Sequence, residues 1–175
     1  MFSRFFRKQP AIAPMPTGAS IPAGERIYAV GDVHGRLDLL KSLIADILAD
    51  DRQRESADTQ IILLGDLVDR GPDSAGVIDY VRDLMASGLR LRCLAGNHEE
   101  VMLAAIDEPS KSTARFFYRV GGRETLISYG MSPDALEEMA WDELSEAIRQ
   151  YVPQHHVEFL RDLENMIVVG DYAFV

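Results

Sequence analysis

Residues 61–71 read Ile61-Ile62-Leu63-Leu64-Gly65-Asp66-Leu67-Val68-Asp69-Arg70-Gly71, and this stretch decides the fold. Its first four residues form a short apolar run, which is typical of a buried strand. The run Ile27–Val30 similarly ends at Gly31-Asp32, and Leu89–Ala95 ends at Gly96-Asn97-His98. The pattern therefore predicts three buried strands, each followed by a polar loop that begins with glycine.

Helical patterns separate the three predicted strands. Apolar residues recur at helical spacing after the first strand and again after the second, and the two stripes comprise Leu37, Leu40, Leu43, Ile44, Ile47, Leu48 and Val77, Tyr80, Val81, Leu84, Met85. Strands that alternate with helices predict right-handed crossovers, a parallel sheet and an α/β fold. The polar loops then share the carboxyl edge of the sheet, where ligands bind in open α/β sheets.

The second half of the chain is predicted to be mostly helical. Ser132-Pro133 is typical of a helix start, and we expect one helix to follow, with an apolar face formed by Leu136, Met139, Leu144 and Ile148. The short runs Met166–Val169 and Tyr172–Val175, joined by Gly170-Asp171, predict a tight β-hairpin.

Length and composition favour one globular domain of 175 residues. Residues 1–24 are predicted to be an irregular lead-in and residues 25–175 the domain. The net charge of −10 argues against nucleic acid as a partner. Cys93 is the only cysteine, which fits a reducing compartment, and we expect a buried Cys93 and a cytoplasmic protein. No apolar run is long enough for a transmembrane segment.

The polar loops carry metal-ligand types. Asp32 and His34 are two residues apart and would project to the same side of an extended backbone. Asp66 has two carboxylate oxygens that could bridge two cations, and Asn97 offers an amide oxygen to the second. Oxygen and imidazole ligands together suit Mn, Fe or Zn better than Ca. The sequence therefore predicts a site for two divalent metal ions.

Three further residues are expected to act on a phosphoryl group. Two cations can lower the pKa of a bound water, so that hydroxide attacks phosphorus in line. His98 is the candidate acid for the departing oxygen, and Asp69 would orient its ring. Arg70 would present a planar fork of donors to phosphate oxygens. The residues expected against the phosphate are Arg70, Asn97 and His98.

These three clusters resemble the signature motifs of the calcineurin-like metallophosphoesterases, in the form found in bacterial and phage-type Ser/Thr protein phosphatases. The resemblance covers Arg26 to Val175 and includes Gly121-Gly122 through Ser128-Tyr129-Gly130. It implies a β-sandwich of two mixed sheets flanked by helices (α/β/β/α) and activity supported by manganese.

Position by position, the resemblance implies a role for each residue of the clusters. It places Asp32 and His34 on the first metal, Asp66 between the two metals and Asn97 on the second. It makes His98 the general acid with Asp69 behind it, and it makes Arg70 a phosphate ligand.

The resemblance also implies ligands that this sequence does not contain. The family site uses two later histidines, one of them directly after a strand like Tyr172–Val175, and usually a second arginine that binds phosphate. We therefore expect a fold that is incomplete at the C-terminus. The first metal should bind, the second should bind weakly, and catalysis should be poor or absent.

Three functions remain open at this point. The leading interpretation is hydrolysis of phosphomonoesters, above all phosphoserine and phosphothreonine in proteins. The first alternative is a symmetrical dinucleoside tetraphosphatase or another hydrolase of small phosphoesters, but that branch typically has glutamine in place of His34 and alanine in place of Asp69. The second alternative is a catalytically incomplete, phosphatase-like binding module. The oligomeric state cannot be predicted.

Four other residues of interest receive structural interpretations. Glu99 and Glu100 lie at the start of a predicted helix, where carboxylates interact favourably with its dipole. His155 and His156 are neighbours on a helical stretch, and no pattern places them near the three strand ends. We therefore predict that these residues stabilise the fold.

Overall fold

The computed structural model describes residues 18–175. The strands are β1 Glu25–Val30, β2 Asp58–Leu63, β3 Leu91–Cys93, β4 Ile167–Val169 and β5 Tyr172–Phe174. The helices are α1 Leu37–Gln53, α2 Ser74–Ala86, α3 Asn97–Asp107, α4 Lys111–Phe117, α5 Arg123–Ser128, α6 Pro133–Glu138, α7 Trp141–Tyr151 and α8 Gln154–Arg161. A wider π-helical turn at Tyr118–Gly122 joins α4 to α5. Of the predicted lead-in, residues 1–17 lie outside the described residues, and residues 18–24 precede β1 without forming a strand or helix.

A parallel three-stranded sheet forms the centre of the fold. Its strand order is β1-β2-β3, and both pairs are parallel, as the alternation of strands and helices predicts. Val30 is paired with Leu63, and Leu63 is paired with Cys93. The three strands therefore end side by side, and the loops that follow them leave from one edge. Cys93 is buried, as predicted.

The alternating side chains of β2 belong to two separate hydrophobic cores. Ile61 and Leu63 pack in the large core with the helices. Ile62 points to the other face, where it packs with Leu94, Ile167 and Val169. Because a strand projects successive side chains to opposite faces, the apolar residues of β2 are buried on both sides of the sheet.

The predicted hairpin is confirmed. β4 and β5 are antiparallel, with Ile167 paired with Phe174 and Val169 paired with Tyr172. Gly170 in the connecting turn has a φ of 57°, a conformation that glycine adopts without strain. Within residues 18–175, this hairpin is the second β-layer, so the layers there are helices, parallel sheet and hairpin.

The expectation of one helix with an apolar face from Leu136 to Ile148 is wrong. Met139 and Ala140 are extended, with ψ of 133° and 152°, and they separate α6 from α7. The Glu143 carboxylate accepts a hydrogen bond from the Ala140 backbone N–H at 3.1 Å. This local cap starts a second helix inside a periodic apolar pattern.

Among residues 18–175, no helix has both the length and the apolar character that crossing a membrane requires.

Ile62→Ala should lower the free energy of unfolding by about 2–5 kcal/mol, because Ile62 is fully buried between the sheet and the hairpin. Val168→Ala is the matched control in the hairpin, since that side chain is 57% exposed. We expect its effect to stay below about 1 kcal/mol. Urea unfolding followed by circular dichroism measures both values. Equal effects would contradict the assignment of the second core.

Candidate metal and phosphate site

The loops after β1 and β2 are joined directly by backbone hydrogen bonds. The N–H groups of Val33 and His34 both donate to the Asp66 carbonyl, at 3.0 and 2.8 Å. The Gly35 N–H donates to the Leu67 carbonyl at 2.8 Å. The two loops therefore form one unit, and the position of His34 is set by the backbone that carries Asp66.

Four candidate site residues have left-handed backbone conformations. The φ angles are 45° at His34, 51° at Asp66, 71° at Asp69 and 66° at Arg70. Residues other than glycine rarely adopt such angles, and each costs about 1–3 kcal/mol when it does. Left-handed residues in a loop concentrate at functional sites, so this strain independently marks the same residues as the motifs.

The buried carboxylate of Glu99 compensates for part of this strain. Its two oxygens accept hydrogen bonds from the backbone N–H groups of Asp66 (2.8 Å), Leu67 (2.8 Å), Val68 (3.2 Å) and Gly96 (2.8 Å). Burial raises the pKa of Glu99, whereas the backbone donors oppose that rise. Through these hydrogen bonds, Glu99 links the loop after β2 to the start of α3.

The interpretation of Glu99 as a residue that mainly interacts with a helix dipole is therefore incomplete, because the side chain holds a neighbouring loop. Glu100, in contrast, is exposed. A glutamate three residues after the helix cap at Gly96 fits the capping-box pattern, which would have predicted the Gly96 contact. The contacts with Asp66, Leu67 and Val68 join distant parts of the chain and leave no such local signal.

His34 is held in one orientation by the β2 loop. Its Nδ1 lies 2.9 Å from the Val68 carbonyl oxygen. A carbonyl only accepts hydrogen bonds, so Nδ1 carries the proton and Nε2 keeps its lone pair. The side chain is 14% exposed. An imidazole fixed through Nδ1 in this way is the usual arrangement of a histidine that binds a metal through Nε2.

His98 is fixed by a chain of buried hydrogen bonds. Its Nδ1 lies 2.7 Å from Asp69 Oδ2, and Asp69 Oδ1 accepts a hydrogen bond from the Thr125 hydroxyl at 2.7 Å. Burial raises the pKa of Asp69, and the hydrogen bonds from His98 and Thr125 oppose that rise. Asp69 and His98 are almost completely buried, with side-chain exposures of 0% and 3%. The ring of His98 therefore has little freedom to rotate.

Arg70 spans the two imidazoles. Nη1 lies 2.8 Å from Nε2 of His34, and Nη2 lies 2.8 Å from Nε2 of His98. A guanidinium group only donates, so both Nε2 atoms accept and both histidines carry their proton on Nδ1. Arg70 itself is exposed. The Arg70 guanidinium therefore lies on the exposed side of the site, and the Nε2 lone pairs of both rings face it.

The predicted metal ligands do not all lie equally close together. Ligand atoms of His34, Asp66 and His98 lie within 4.8 Å of one another. Asp32 Oδ2 is 3.6 Å from His34 Nε2, and its side chain is 67% exposed. Asn97 is exposed at the first residue of α3. The structure thus groups His98, predicted as an acid, with His34 and Asp66.

The donor set fits a divalent cation. Two imidazole lone pairs and a carboxylate converge, and each imidazole is held by a hydrogen bond through its other nitrogen. Asp66 is also ordered, because its Oδ1 accepts a hydrogen bond from the His98 backbone N–H at 3.0 Å. Mixed nitrogen and oxygen ligands of this kind bind Mn, Fe or Zn.

Residues outside the three motifs support the site from α2, the π-helical turn and α5. The Asp69 N–H donates to the hydroxyls of Ser74 and Thr125, at 3.1 and 2.9 Å. The Arg70 N–H donates to the Gly121 carbonyl at 3.1 Å. Gly121 has a φ of 124°, and a Cβ there would lie 2.7 Å from the Arg70 nitrogen, so only glycine fits. Ser74 and Thr125 were not predicted, because single hydroxyl residues carry no distinctive pattern.

The chain matches a protein-family model. Residues 25–171 match the model of the calcineurin-like phosphoesterases. The matched range covers most of the chain and includes all three motifs.

Curated relatives match part of the chain. A symmetrical bis(5'-nucleosyl)-tetraphosphatase of Serratia proteamaculans is 47% identical over 77 residues, which are 44% of this chain and 24% of that protein. The protein of the same name from Hamiltonella defensa is 36% identical over 114 residues, which are 65% of this chain and 36% of that protein. The chain thus matches only about a quarter to a third of the length of these relatives.

A solved structure shares the fold. A hypothetical protein from Pyrococcus horikoshii has a TM-score of 0.50 at 15% identity, and the likeness covers 82% of this chain and 50% of that chain. Together with the family match, this likeness confirms the predicted α/β fold class of the metallophosphoesterases.

Glu99→Gln should lower the free energy of unfolding by about 1–3 kcal/mol, because one amide oxygen cannot accept the hydrogen bonds from Asp66, Leu67, Val68 and Gly96. Glu100→Gln is the matched control, since its side chain is exposed. Urea unfolding gives the free energies, and ¹H–¹⁵N spectra should show shifts at residues 66–68 in the first variant only. An unchanged stability of Glu99→Gln would refute this anchoring role.

Proposed function

The chain belongs to the calcineurin-like phosphoesterase family, and on that premise we propose that it carries a metal-dependent site for hydrolysing phosphoesters. The observation that carries the proposal is the convergence of His34, Asp66 and His98, whose ligand atoms lie within 4.8 Å of one another under the guanidinium of Arg70. Two oriented imidazole lone pairs and a carboxylate suit a cation, and the planar guanidinium suits a phosphate group. Their combination is therefore typical of a site that binds both.

We assign the divalent cations to Asp32, His34, Asp66 and Asn97, with Mn²⁺ as the leading candidate and Fe or Zn as alternatives. A ring nitrogen of His98 also lies within 4.8 Å of the ligand atoms of His34 and Asp66. When bound, such cations neutralise phosphate charge and make water a stronger nucleophile near neutral pH. Asp66 is the central ligand in this assignment, because its backbone is held by Glu99 and its carboxylate lies within 4.8 Å of ring nitrogens of both His34 and His98.

The other residues of the site act on the phosphoryl group and the leaving oxygen. Arg70 would exchange its contacts with the two imidazoles for two phosphate oxygens, which its planar fork fits. Asp69 holds the Nδ1 proton of His98, so that Nε2 faces the site. To act as an acid, Nε2 must first take up a proton from solvent. The imidazolium that forms is stabilised by Asp69 and gives its Nε2 proton to the departing oxygen. Thr125 and Ser74 position Asp69 for this role.

Dinucleoside polyphosphates are the first proposed substrate class. This choice is supported by the relatives, since the two curated proteins described above are named symmetrical bis(5'-nucleosyl)-tetraphosphatases. Cleavage at the central bridge of such a molecule releases nucleoside diphosphates. A diphosphate is a weakly basic leaving group, so this reaction needs little help from a general acid.

Phosphomonoesters, including phosphoserine and phosphothreonine, are the second proposed class, and the Asp69–His98 pair favours them. A departing serine alkoxide is strongly basic and needs a proton, which His98 is positioned to supply. The resemblance to Ser/Thr protein phosphatases also rests on His34 and Asp69, where the tetraphosphatase branch typically has glutamine and alanine. A comparison of substrates separates the two classes.

Asp66→Asn should abolish any Mn²⁺-dependent turnover of p-nitrophenyl phosphate that the chain supports and should weaken Mn²⁺ binding, because it removes the charge of the central ligand. Asp134→Asn is the control, since Asp134 is exposed in the first turn of α6. Calorimetric titration with Mn²⁺ accompanies the assay. Turnover that survives Asp66→Asn, or that needs no metal, would contradict the proposal. Mn²⁺ binding without turnover in the unsubstituted chain would favour a non-catalytic binding module.

Asp69→Asn should discriminate between leaving groups. If His98 acts as an acid, kcat on a phosphoserine peptide should fall by about 10²–10⁴-fold. Turnover of diadenosine tetraphosphate and p-nitrophenyl phosphate should fall much less, because their leaving groups are weakly basic. The rates of the unsubstituted chain on the peptide and on diadenosine tetraphosphate identify the preferred class. An equal loss on all three substrates would mean that Asp69 does not act through proton delivery.

A further inference from the structure

A second group of metal-ligand side chains lies between α2 and α8, outside the site described above. Ligand atoms of Asp79, His155 and His156 lie within 4.8 Å of one another. Asp79 belongs to α2, and both histidines lie in the first turn of α8. We call these three residues the α2–α8 cluster. Neither the family motifs nor the function proposed above uses it.

His156 is the fixed member of the α2–α8 cluster. Only 2% of the residue is exposed. Its Nδ1 lies 2.9 Å from the Tyr129 hydroxyl, and its Nε2 lies 2.8 Å from Asp79 Oδ1. A ring held through Nδ1 with Nε2 directed at a carboxylate resembles the histidine arrangement that surrounds protein-bound metals. With the ring proton on Nδ1, donated to the Tyr129 hydroxyl, Nε2 would offer its lone pair to a cation that also meets Asp79, without movement of the buried ring.

The other two members are accessible. The Asp79 side chain is 58% exposed, and His155 is exposed. The ring centroids of His155 and His156 are 4.4 Å apart, at an interplanar angle of 81°. Arg82 is the nearest competitor, with Nη1 3.6 Å from Asp79 Oδ1. An ion pair of that length at the surface contributes little, so a cation can displace it.

We propose that the α2–α8 cluster is a second, independent metal site that binds Zn²⁺ through His155, His156 and Asp79. Two imidazoles and one carboxylate are a ligand set that zinc accepts, with water completing the coordination. The same set discriminates against Mg²⁺ and Ca²⁺, which take oxygen ligands.

Zinc at this cluster would fasten α8 to α2. α2 also carries Ser74, which accepts a hydrogen bond from the Asp69 backbone. A ligand that binds only the folded chain raises its stability. The role we assign to the site is therefore to stabilise the helices that support the phosphate site, without contact with the substrate.

Zinc stoichiometry tests the proposal, because the chain has four histidines and the two sites use two each. Equilibrium dialysis of the full chain against Zn²⁺, followed by metal analysis, is carried out on the unsubstituted chain, His155→Ala and His34→Ala. We expect His155→Ala to lose about one equivalent of Zn²⁺. His34→Ala should lose zinc from the other site and keep the equivalent bound by the cluster. An unchanged zinc content in His155→Ala would overturn the proposal.

Thermal unfolding provides a second readout that does not depend on the first site. Zn²⁺ should raise the Tm of Asp66→Asn, in which the first site is disrupted, but should not raise the Tm of the Asp66→Asn, His155→Ala double variant. His155 is the substituted residue because it is exposed, whereas truncation of the buried His156 would also disturb the fold. An equal rise in Tm in both proteins would overturn the proposal. A failure of the phosphatase assays would leave this result unaffected.

Discussion

The structure depends on one buried carboxylate. Glu99 accepts hydrogen bonds from four backbone N–H groups, three of them in the loop after β2. That loop contains residues with left-handed backbone angles, which an isolated peptide would not keep. The loop in turn holds the loop after β1, through the Asp66 carbonyl. The buried Glu99 side chain therefore stabilises the strained loop after β2 and, through it, the positions of the candidate metal ligands His34 and Asp66.

The second support of the site comes from the helical half of the chain. Thr125 and Ser74 bind the Asp69 backbone, and Gly121 admits the Arg70 backbone at a distance that a side chain would block. Asp69 is thus held from α2 and α5 and Arg70 from the π-helical turn, whereas Asp32, His34 and Asp66 lie in the loops at the sheet edge.

The sequence predicts the parts of this molecule that rest on local patterns. Apolar runs that end at glycine and aspartate or asparagine, separated by helical patterns, predicted the parallel strands, and Gly170-Asp171 predicted the hairpin. The break between α6 and α7 was missed, because an apolar stripe continues across it. The loop contacts of Glu99 and the role of Thr125 were missed, because both depend on contacts between distant residues. Asp32, Asn97 and the other site residues keep the roles proposed for them until they are tested.

The position of Arg70 has a thermodynamic consequence. Its guanidinium occupies the lone pairs of His34 and His98, and the same fork is the group suited to phosphate. The guanidinium cannot contact the two imidazoles and a phosphate group at the same time. In the function we propose, a cation that takes the lone pair of His34 frees that arm of the fork, so cation binding and phosphate binding would be coupled through one side chain. Linkage requires the coupling to be reciprocal: phosphate must raise the affinity for the cation by the same factor as the cation raises the affinity for phosphate.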